Sequence, residues 1–342
     1  MKAATTSKRL KDKTKLLVLN EGDSVEHTTV DNFVNLLSAG DLIIINRSAT
    51  LPSSFNGKLD RTAELMEIRL AAFQGANPSD LSLWQAFLFG EGNWRIPTEH
   101  RKNPPDVHIG DTITIGADLS LKIVECKLSR LISVKFMSSD LLHNLYKYGK
   151  PIQYSYLNEE LKIWDQQTIF SGPPLSVEPP SASFPLTWEL IFALQGKGVQ
   201  IADLLHEAGI SSTGQDSLDQ LLPLTEWYDI PLRTVEKFNR AKKSKKRIVA
   251  LGTSVLRALE SAWDRRALRA GAALTSLKIT PEYKIKTVDS LVTGMHEKGT
   301  SHMNILDSIC PISQVERGYK EANALGYKSH EYGDLTFLNG KR

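Results

Sequence analysis

The stretch Arg247-Ile-Val-Ala-Leu-Gly-Thr-Ser-Val-Leu-Arg-Ala-Leu-Glu-Ser261 constrains the fold more than any other. Ile248 to Leu251 is an unbroken apolar run, as expected of a strand buried on both faces. Gly252-Thr253-Ser254 breaks it, and Val255, Leu256, Leu259 and Trp263 then recur at helical spacing. A strand that passes through such a turn into a helix aims backbone N–H groups and a positive helix end at one place. That place can hold a carboxylate or a phosphate, and Arg257, one turn in, adds a cation. The same residues also fit a plain turn in which Thr253 or Ser254 only caps the helix.

Elsewhere the pattern is again α/β. Leu16–Asn20 and Leu42–Ile45 read as strands, the second ending at Asn46, with helical spacing at Val30, Phe33, Leu36 and Leu37 between them. Thr50-Leu51-Pro52 and Asn56-Gly57 read as irregular backbone. Between about Gly57 and Ser138 the texture changes to short alternating runs, Glu67–Leu70, Trp84–Phe89, Thr112–Ile115, Leu121–Glu125 and Ile132–Phe136. Such spacing predicts a small β-barrel or sandwich. The expectation is therefore an α/β, mixed-sheet main domain with helices (1–56 plus 150–342), interrupted by an inserted small β-barrel domain (57–149).

Ser171–Pro185 holds five prolines and four serines, so it is a linker or a rigid loop shaped around something. A helix from Thr187 precedes the strand Val199–Leu205, and His206 stands at that strand's carboxyl end, where ligands of open α/β sheets gather. Glu226 follows the next loop. Ala273–Ile279 and Tyr283–Leu291 read as strands, the second leading to Thr293 and a turn with His296. A helix over Val315–Leu325 and a strand over Leu335–Leu338 close the chain.

If the strands are parallel neighbours, His206, Gly252–Ser254 and the His296 turn meet on one rim, with Glu226 near them. Two histidines and a carboxyl supply acid and base groups that titrate near neutrality. A histidine at a strand end, taken alone, is more often structural or solvated than catalytic. Arg240–Arg247 carries six Lys/Arg in eight residues. It reads either as a solvated loop or as a phosphate-backbone contact beside the site, through Lys242, Lys243, Lys245, Lys246 and Arg247.

Composition excludes several classes. The net charge of +3 in 342 residues does not by itself argue for nucleic acid. No apolar run reaches the roughly 18 residues of a membrane span, and the basic, polar Met1–Lys15 lacks a signal-peptide core. A cytoplasmic protein is expected. Cys126 and Cys310 are too few and too far apart for a disulfide framework or a cysteine metal site, and no metal-ligand spacing is present.

Several motifs, in order, resemble the S-adenosylmethionine:tRNA ribosyltransferase-isomerase family of queuosine biosynthesis. They are Gly40-Asp-Leu-Ile-Ile-Ile-Asn46, Lys197-Gly-Val199 to His206, Gly252-Thr253 with Arg257-Ala-Leu-Glu-Ser261, Val288-Asp-Ser-Leu-Val-Thr293 with His296, and Tyr332-Gly-Asp334. The chain departs from the family pattern at Arg47-Ser48-Ala49, at Pro180–Thr187 (Pro185 for a histidine), at Glu207–Ser212 and at Leu224 (for a histidine).

The resemblance implies transfer of the ribosyl part of S-adenosylmethionine, as co-substrate, to the aminomethyl group of a 7-deazaguanine in tRNA. Adenine and methionine leave, and the sugar becomes an epoxycyclopentanediol. On that reading His206, Glu226 and His296 are catalytic, with His206 or Glu226 as base and His296 as acid. Asn46, Gly252, Thr253, Ser254, Arg257 and Thr293 bind substrate. The 242–247 cations meet the anticodon region of tRNA, no metal is required, and the protein is a monomer. Two alternatives stay open at this point: a homologue that binds RNA or nucleoside without turnover, and an S-adenosylmethionine-cleaving enzyme with another acceptor.

Overall fold

The computed structural model describes residues 1–7, 14–128, 130–297 and 300–340. Part of the basic N-terminal segment (8–13) and two residues of the turn after Thr293 (298 and 299) lie outside them.

The centre of the molecule is a mixed sheet, nine-stranded among the described residues. Its strands are β1 (Lys15–Asn20), β2 (Ser24–Thr29), β3 (Leu42–Asn46), β10 (Gln200–His206), β11 (Glu226–Ile230), β12 (Ile248–Leu251), β13 (Gly271–Thr275), β14 (Ser290–Gly294) and β15 (Leu335–Asn339). They lie in the order β13-β11-β10-β3-β12-β14-β15-β1-β2. The four inner strands β10, β3, β12 and β14 are mutually parallel, while β11 and β15 run antiparallel to their inner neighbours.

Burial of both sheet faces explains the unbroken apolar runs. Leu42, Ile44, Ala250 and Leu291 face a core shared with Phe238, Leu256 and Leu259. These come from α3 (Leu232–Lys243) and α4 (Thr253–Ala262). Ile43, Ile45, Val249 and Val292 face Leu190, Ile191 and Leu194 of α2 (Trp188–Gly196) together with Val30 and Phe33. Each Val, Leu, Ile or Phe among them is worth about 1.5–3 kcal/mol on burial, so β3 and β12 form the anchored middle of the fold.

Six strands close into a barrel: β4 (Ser54–Leu59), β5 (Leu65–Phe73), β6 (Leu83–Gly90), β7 (Thr112–Gly116), β8 (Leu119–Cys126) and β9 (Leu131–Met137). Its apolar interior is continuous with Leu205 and Trp227 at the carboxyl end of β10 and the start of β11. α1 (Leu141–Tyr148) then leads the chain back, and α5 (Ser301–Asp307) and α6 (Ile312–Ala324) precede the last sheet strand.

The structure corrects several local expectations. Asn56-Gly57 is not irregular but lies inside β4. A Cβ at Gly57 would sit 2.5 Å from Ile113 Cγ2, so the glycine serves close strand approach in the barrel. Val30–Leu36 is a 3-10 helix rather than an α-helix, because Val30, Phe33 and Leu36 repeat every three residues. Tyr283–Leu291 is not one strand; pairing begins only at Ser290. Glu260 Oε1 takes the N–H groups of Lys286 and Thr287 at 2.9 and 2.7 Å, replacing ladder bonds there. Lys2–Ala3, in the segment read as a polar tail, pairs with Lys328–Ser329.

Candidate functional site

Parallel alignment brings the carboxyl ends of the four inner strands to one rim. Ile45 pairs with Leu251, and Leu251 with Val292, so Asn46, Gly252 and Thr293 stand level one residue on. His206 ends β10, and Glu226 opens the antiparallel β11 beside it, with His206 paired to Tyr228. The expected meeting of three strand ends therefore takes place.

Gly252 is the residue before α4, at φ 100°, a conformation that favours glycine. Its N–H donates to Val292 O at 2.8 Å. Neither Thr253 nor Ser254 caps the helix with its side chain, which corrects the plain-cap reading. Both are half-buried in the first turn, where N–H groups and the positive helix end face the rim.

Behind this turn lies a buried charged group. Arg257 Nη1 donates to Glu226 Oε2, and Arg257 Nε to Leu277 O at 3.1 Å. Arg257, expected to add a cation to the site, is thus paired with a buried carboxylate through Nη1. His206 Nε2 lies 3.3 Å from Glu226 Oε2, and Gly209 N–H donates to Glu226 Oε1 at 3.0 Å. Burial, reinforced by the Arg257 charge, holds the His206 imidazole well below its ordinary pKa, so it is uncharged at neutral pH. Burial raises Glu226, while the guanidinium pulls it back towards ionisation.

His296 sits across the rim. Its Nε2 is 2.8 Å from Thr293 Oγ1, and its ring stacks on His302 at 4.3 Å. Burial and the two neighbours His302 and His330 keep it uncharged. His302 is itself pushed down to about 4, by burial and then by Arg257. The guanidinium therefore acts on His206 and on His302, joining the two halves of the rim electrostatically.

Two further expected site residues are hydrogen-bonded within the protein. Asn46 is fully buried. Its Nδ2 donates to His206 O at 2.9 Å, and its Oδ1 accepts from His206 N at 3.1 Å and Ser48 N at 3.0 Å. These bonds orient the strand end. Thr293 is 2% exposed and spends its hydroxyl on His296. The basic segment is also displaced from its expected place beside the site. Lys242, Lys243, Lys245, Lys246 and Arg247 precede β12, so they lie at its amino end, about 13 Å of strand from the rim. Lys242 Nζ, Lys246 Nζ and Arg247 Nη1 donate to the carbonyls of Lys286, Ala39 and Leu36 at 3.0, 2.8 and 3.1 Å.

The structure adds residues to which the sequence had given no role. The Pro-rich segment is a fitted loop: Val177 and Glu178 donate their N–H groups to Ala208 O at 2.9 and 3.0 Å, and Ser176 Oγ donates to His206 O at 3.1 Å. This carries Glu178 into the cluster, where the Tyr154 hydroxyl donates to it at 2.5 Å. Glu207, fully buried next to His206, is raised well above the usual carboxylate range by burial and by the Glu226 charge. Tyr156 stacks on His330 at 4.4 Å and donates its hydroxyl to Glu331. Spacing could not reveal these, since they come from loops with no periodic signal.

Among the described residues no group of three or more His, Cys, Asp or Glu side chains is placed to hold a metal ion. No helix there is long and apolar enough to cross a membrane.

The family model described as queuosine biosynthesis protein matches residues 1–338. The chain is similar to the S-adenosylmethionine:tRNA ribosyltransferase-isomerase of Sulfurihydrogenibium sp. (strain YO3AOP1), 27% identical over 335 residues, covering 96% of this chain and 93% of that one. It is similar to the protein of the same name from Aquifex aeolicus, 28% identical over 327 residues, covering 94% and 91%. The crystal structure of S-adenosylmethionine tRNA ribosyltransferase from Thermotoga maritima matches with a TM-score of 0.52 at 23% identity, covering 98% of this chain and 96% of that one. At that identity the likeness shows a shared fold.

Proposed function

Since the chain belongs to the queuosine biosynthesis protein family, we propose that it transfers and isomerises the ribosyl moiety of S-adenosylmethionine onto 7-aminomethyl-7-deazaguanine in tRNA. Its products are epoxyqueuosine in the tRNA, adenine and methionine. The observation that carries this reading is the rim itself: His206, Glu226 with Arg257, Gly252–Ser254 and Thr293–His296 converge where four parallel strands end.

The residues suit the chemistry as follows. A sulfonium acidifies the C–H bonds beside it, and the uncharged imidazole of His206 can take such a proton. Glu226, 3.3 Å from His206, then steadies the imidazolium that forms. Asn46 fixes the strand end that carries His206. His296 rests as a neutral ring, so it meets the leaving adenine as a hydrogen-bonding group that Thr293 orients, not as a standing imidazolium. The first turn of α4, at Gly252, Thr253 and Ser254, offers N–H groups to an anion, the methionine carboxylate or a tRNA phosphate. A single chain carries every member of the rim, which supports a monomer as the working unit.

The tRNA enters, on this reading, through its anticodon region, with the modified base at the rim. The cations at 242–247 would then meet a second part of the RNA backbone, a strand length away. The division into a main domain (1–56 plus 150–342) and an insertion (57–149) belongs to the same reading, as does a cytoplasmic location.

Adenine release from S-adenosylmethionine tests the proposal. Release that requires tRNA bearing the aminomethyl-deazaguanine supports it. Release without that tRNA, or none at all, contradicts it.

A further inference from the structure

Three guanidinium groups are buried together in the barrel. Arg69 of β5, Arg101 of the β6–β7 connection and Arg130, directly before β9, are 1%, 4% and 6% exposed. Their guanidinium carbons stand 4.8, 5.8 and 5.8 Å from the centroid of the Phe89 ring. One carboxylate serves the group. Arg69 Nε donates to Glu67 Oε1 at 2.7 Å, and Arg101 Nη1 donates to Glu67 Oε2.

Arg130 has no share in that carboxylate. Its Nη2 donates to the neutral Oδ1 of Asn103 at 2.5 Å, and it makes no ion pair among the described residues. The Phe89 face attracts a cation weakly, but a buried charge is otherwise retained only when it is paired. Burial and the Arg101 charge accordingly hold Arg130 below the ordinary arginine pKa. A second observation is a cavity of about 440 Å³, whose walls include Asn103, Asp106, Val107, Lys127, Leu128 and Arg130. Lys127 Nζ already has Glu125 Oε2 at 3.6 Å. Asp106 is the one acid in the wall and is not paired with Arg130. Arg130 is therefore a buried cation without a counter-charge, at the edge of a space as large as a small-molecule site.

We propose that this cavity of the barrel binds a nucleotide, with the phosphate on Arg130 and the nucleoside against Val107 and Leu128. A guanidinium matches phosphate oxygens through paired N–H donors, and the volume exceeds what a bare anion fills. Asp106 repels a phosphate, so in this pose its carboxylate accepts from the sugar hydroxyls. The nucleotide is either free or one unit of an RNA chain. None of the wall residues belongs to the strand-end rim, and the proposal does not depend on the ribosyl-transfer reading.

Calorimetric titration of the full chain with cytidine monophosphate and with cytidine tests the site. A pyrimidine is used so that adenine recognition at the rim does not interfere. The monophosphate should bind about tenfold tighter than cytidine or more. Arg130→Gln should bring that ratio to about one. Leu128→Glu, at a wall position that is 48% exposed, should do the same by placing a carboxylate beside the phosphate. Thermal melting shows that each variant is folded. Pentacytidylate distinguishes the sources: binding about tenfold tighter than the monophosphate identifies an RNA chain, and equal or weaker binding identifies a free nucleotide. Equal binding of cytidine and its monophosphate by the wild type overturns the site and needs no variant. A ratio unchanged in either folded variant overturns it too. Neither result bears on adenine release, by which the ribosyl-transfer reading is judged.

Discussion

Asn46 and His206 are joined in both directions, the Asn46 amide donating to the His206 carbonyl at 2.9 Å and accepting from the His206 N–H at 3.1 Å. The bond pair ties the carboxyl ends of β3 and β10 together just where the chain leaves the sheet. Without it the His206 backbone would have no ladder partner on that side, and the imidazole would lose its fixed position beside Glu226.

Asn46→Ala removes these two bonds and a third to Ser48 N. At roughly 1 kcal/mol each, with buried donors left unmet, the variant should lose about 3 kcal/mol of stability. Denaturant unfolding measures this. Turnover should fall further than substrate affinity, because Asn46 positions a group and does not itself meet the ligand.

Arg257 and Glu226 are a buried pair, and breaking such a pair from one side leaves an uncompensated charge costing about 3–5 kcal/mol. Arg257→Met should show that loss in denaturant unfolding. Arg257→Met combined with Glu226→Gln should recover most of it. A double variant as unstable as the single one would show that the pair does not govern the cluster.

Glu331 gives stability a pH dependence. Desolvation pushes its carboxyl up to about 7, from an ordinary value of 4.5. A raised folded-state pKa means that the native protein holds its proton more tightly than the unfolded chain does. The contribution is therefore complete below about pH 4.5 and is lost as pH rises through about 7. Glu331→Gln should flatten this slope, with a melting temperature above that of the wild type at pH 8.

Gly252 stands at φ 100°, yet a Cβ there would meet nothing closer than Ser254 Oγ at 3.7 Å. At φ 100° and ψ 151° the cost of Gly252→Ala is then conformational, about 1–3 kcal/mol, with the first turn of α4 displaced. Binding of anionic ligands should weaken more than that of S-adenosylmethionine analogues lacking the carboxylate.

Much of the sheet was legible because doubly buried strands write continuous apolar runs, as at Leu42–Ile45 and Ile248–Leu251. The rim followed from the same runs, since parallel strands place His206, Gly252 and Thr293 at one end. Other features depended on partners distant in sequence. Glu260 meets the backbone at Lys286 and Thr287, turning an apparent strand into a side-chain-bonded segment. Gly57 looked like a turn residue until Ile113 was seen against it. At the site, residue identity was easier to read than residue role. Arg257 and Asn46 lie close to the rim, where Arg257 Nη1 is engaged by Glu226 and the Asn46 amide by His206. Glu178 and Glu207, which crowd the same cluster, lie in loops whose sequence carries no period.

Nucleoside analysis of the tRNA product tests the central claim most directly. The purified protein is incubated with S-adenosylmethionine and tRNA carrying 7-aminomethyl-7-deazaguanine, and the RNA is digested and examined by mass spectrometry. The account predicts the epoxycyclopentanediol adduct on the aminomethyl group with the wild type and its loss with His206→Ala. An unmodified base after incubation with the wild type, or an adduct that His206→Ala forms at the same rate, would contradict it.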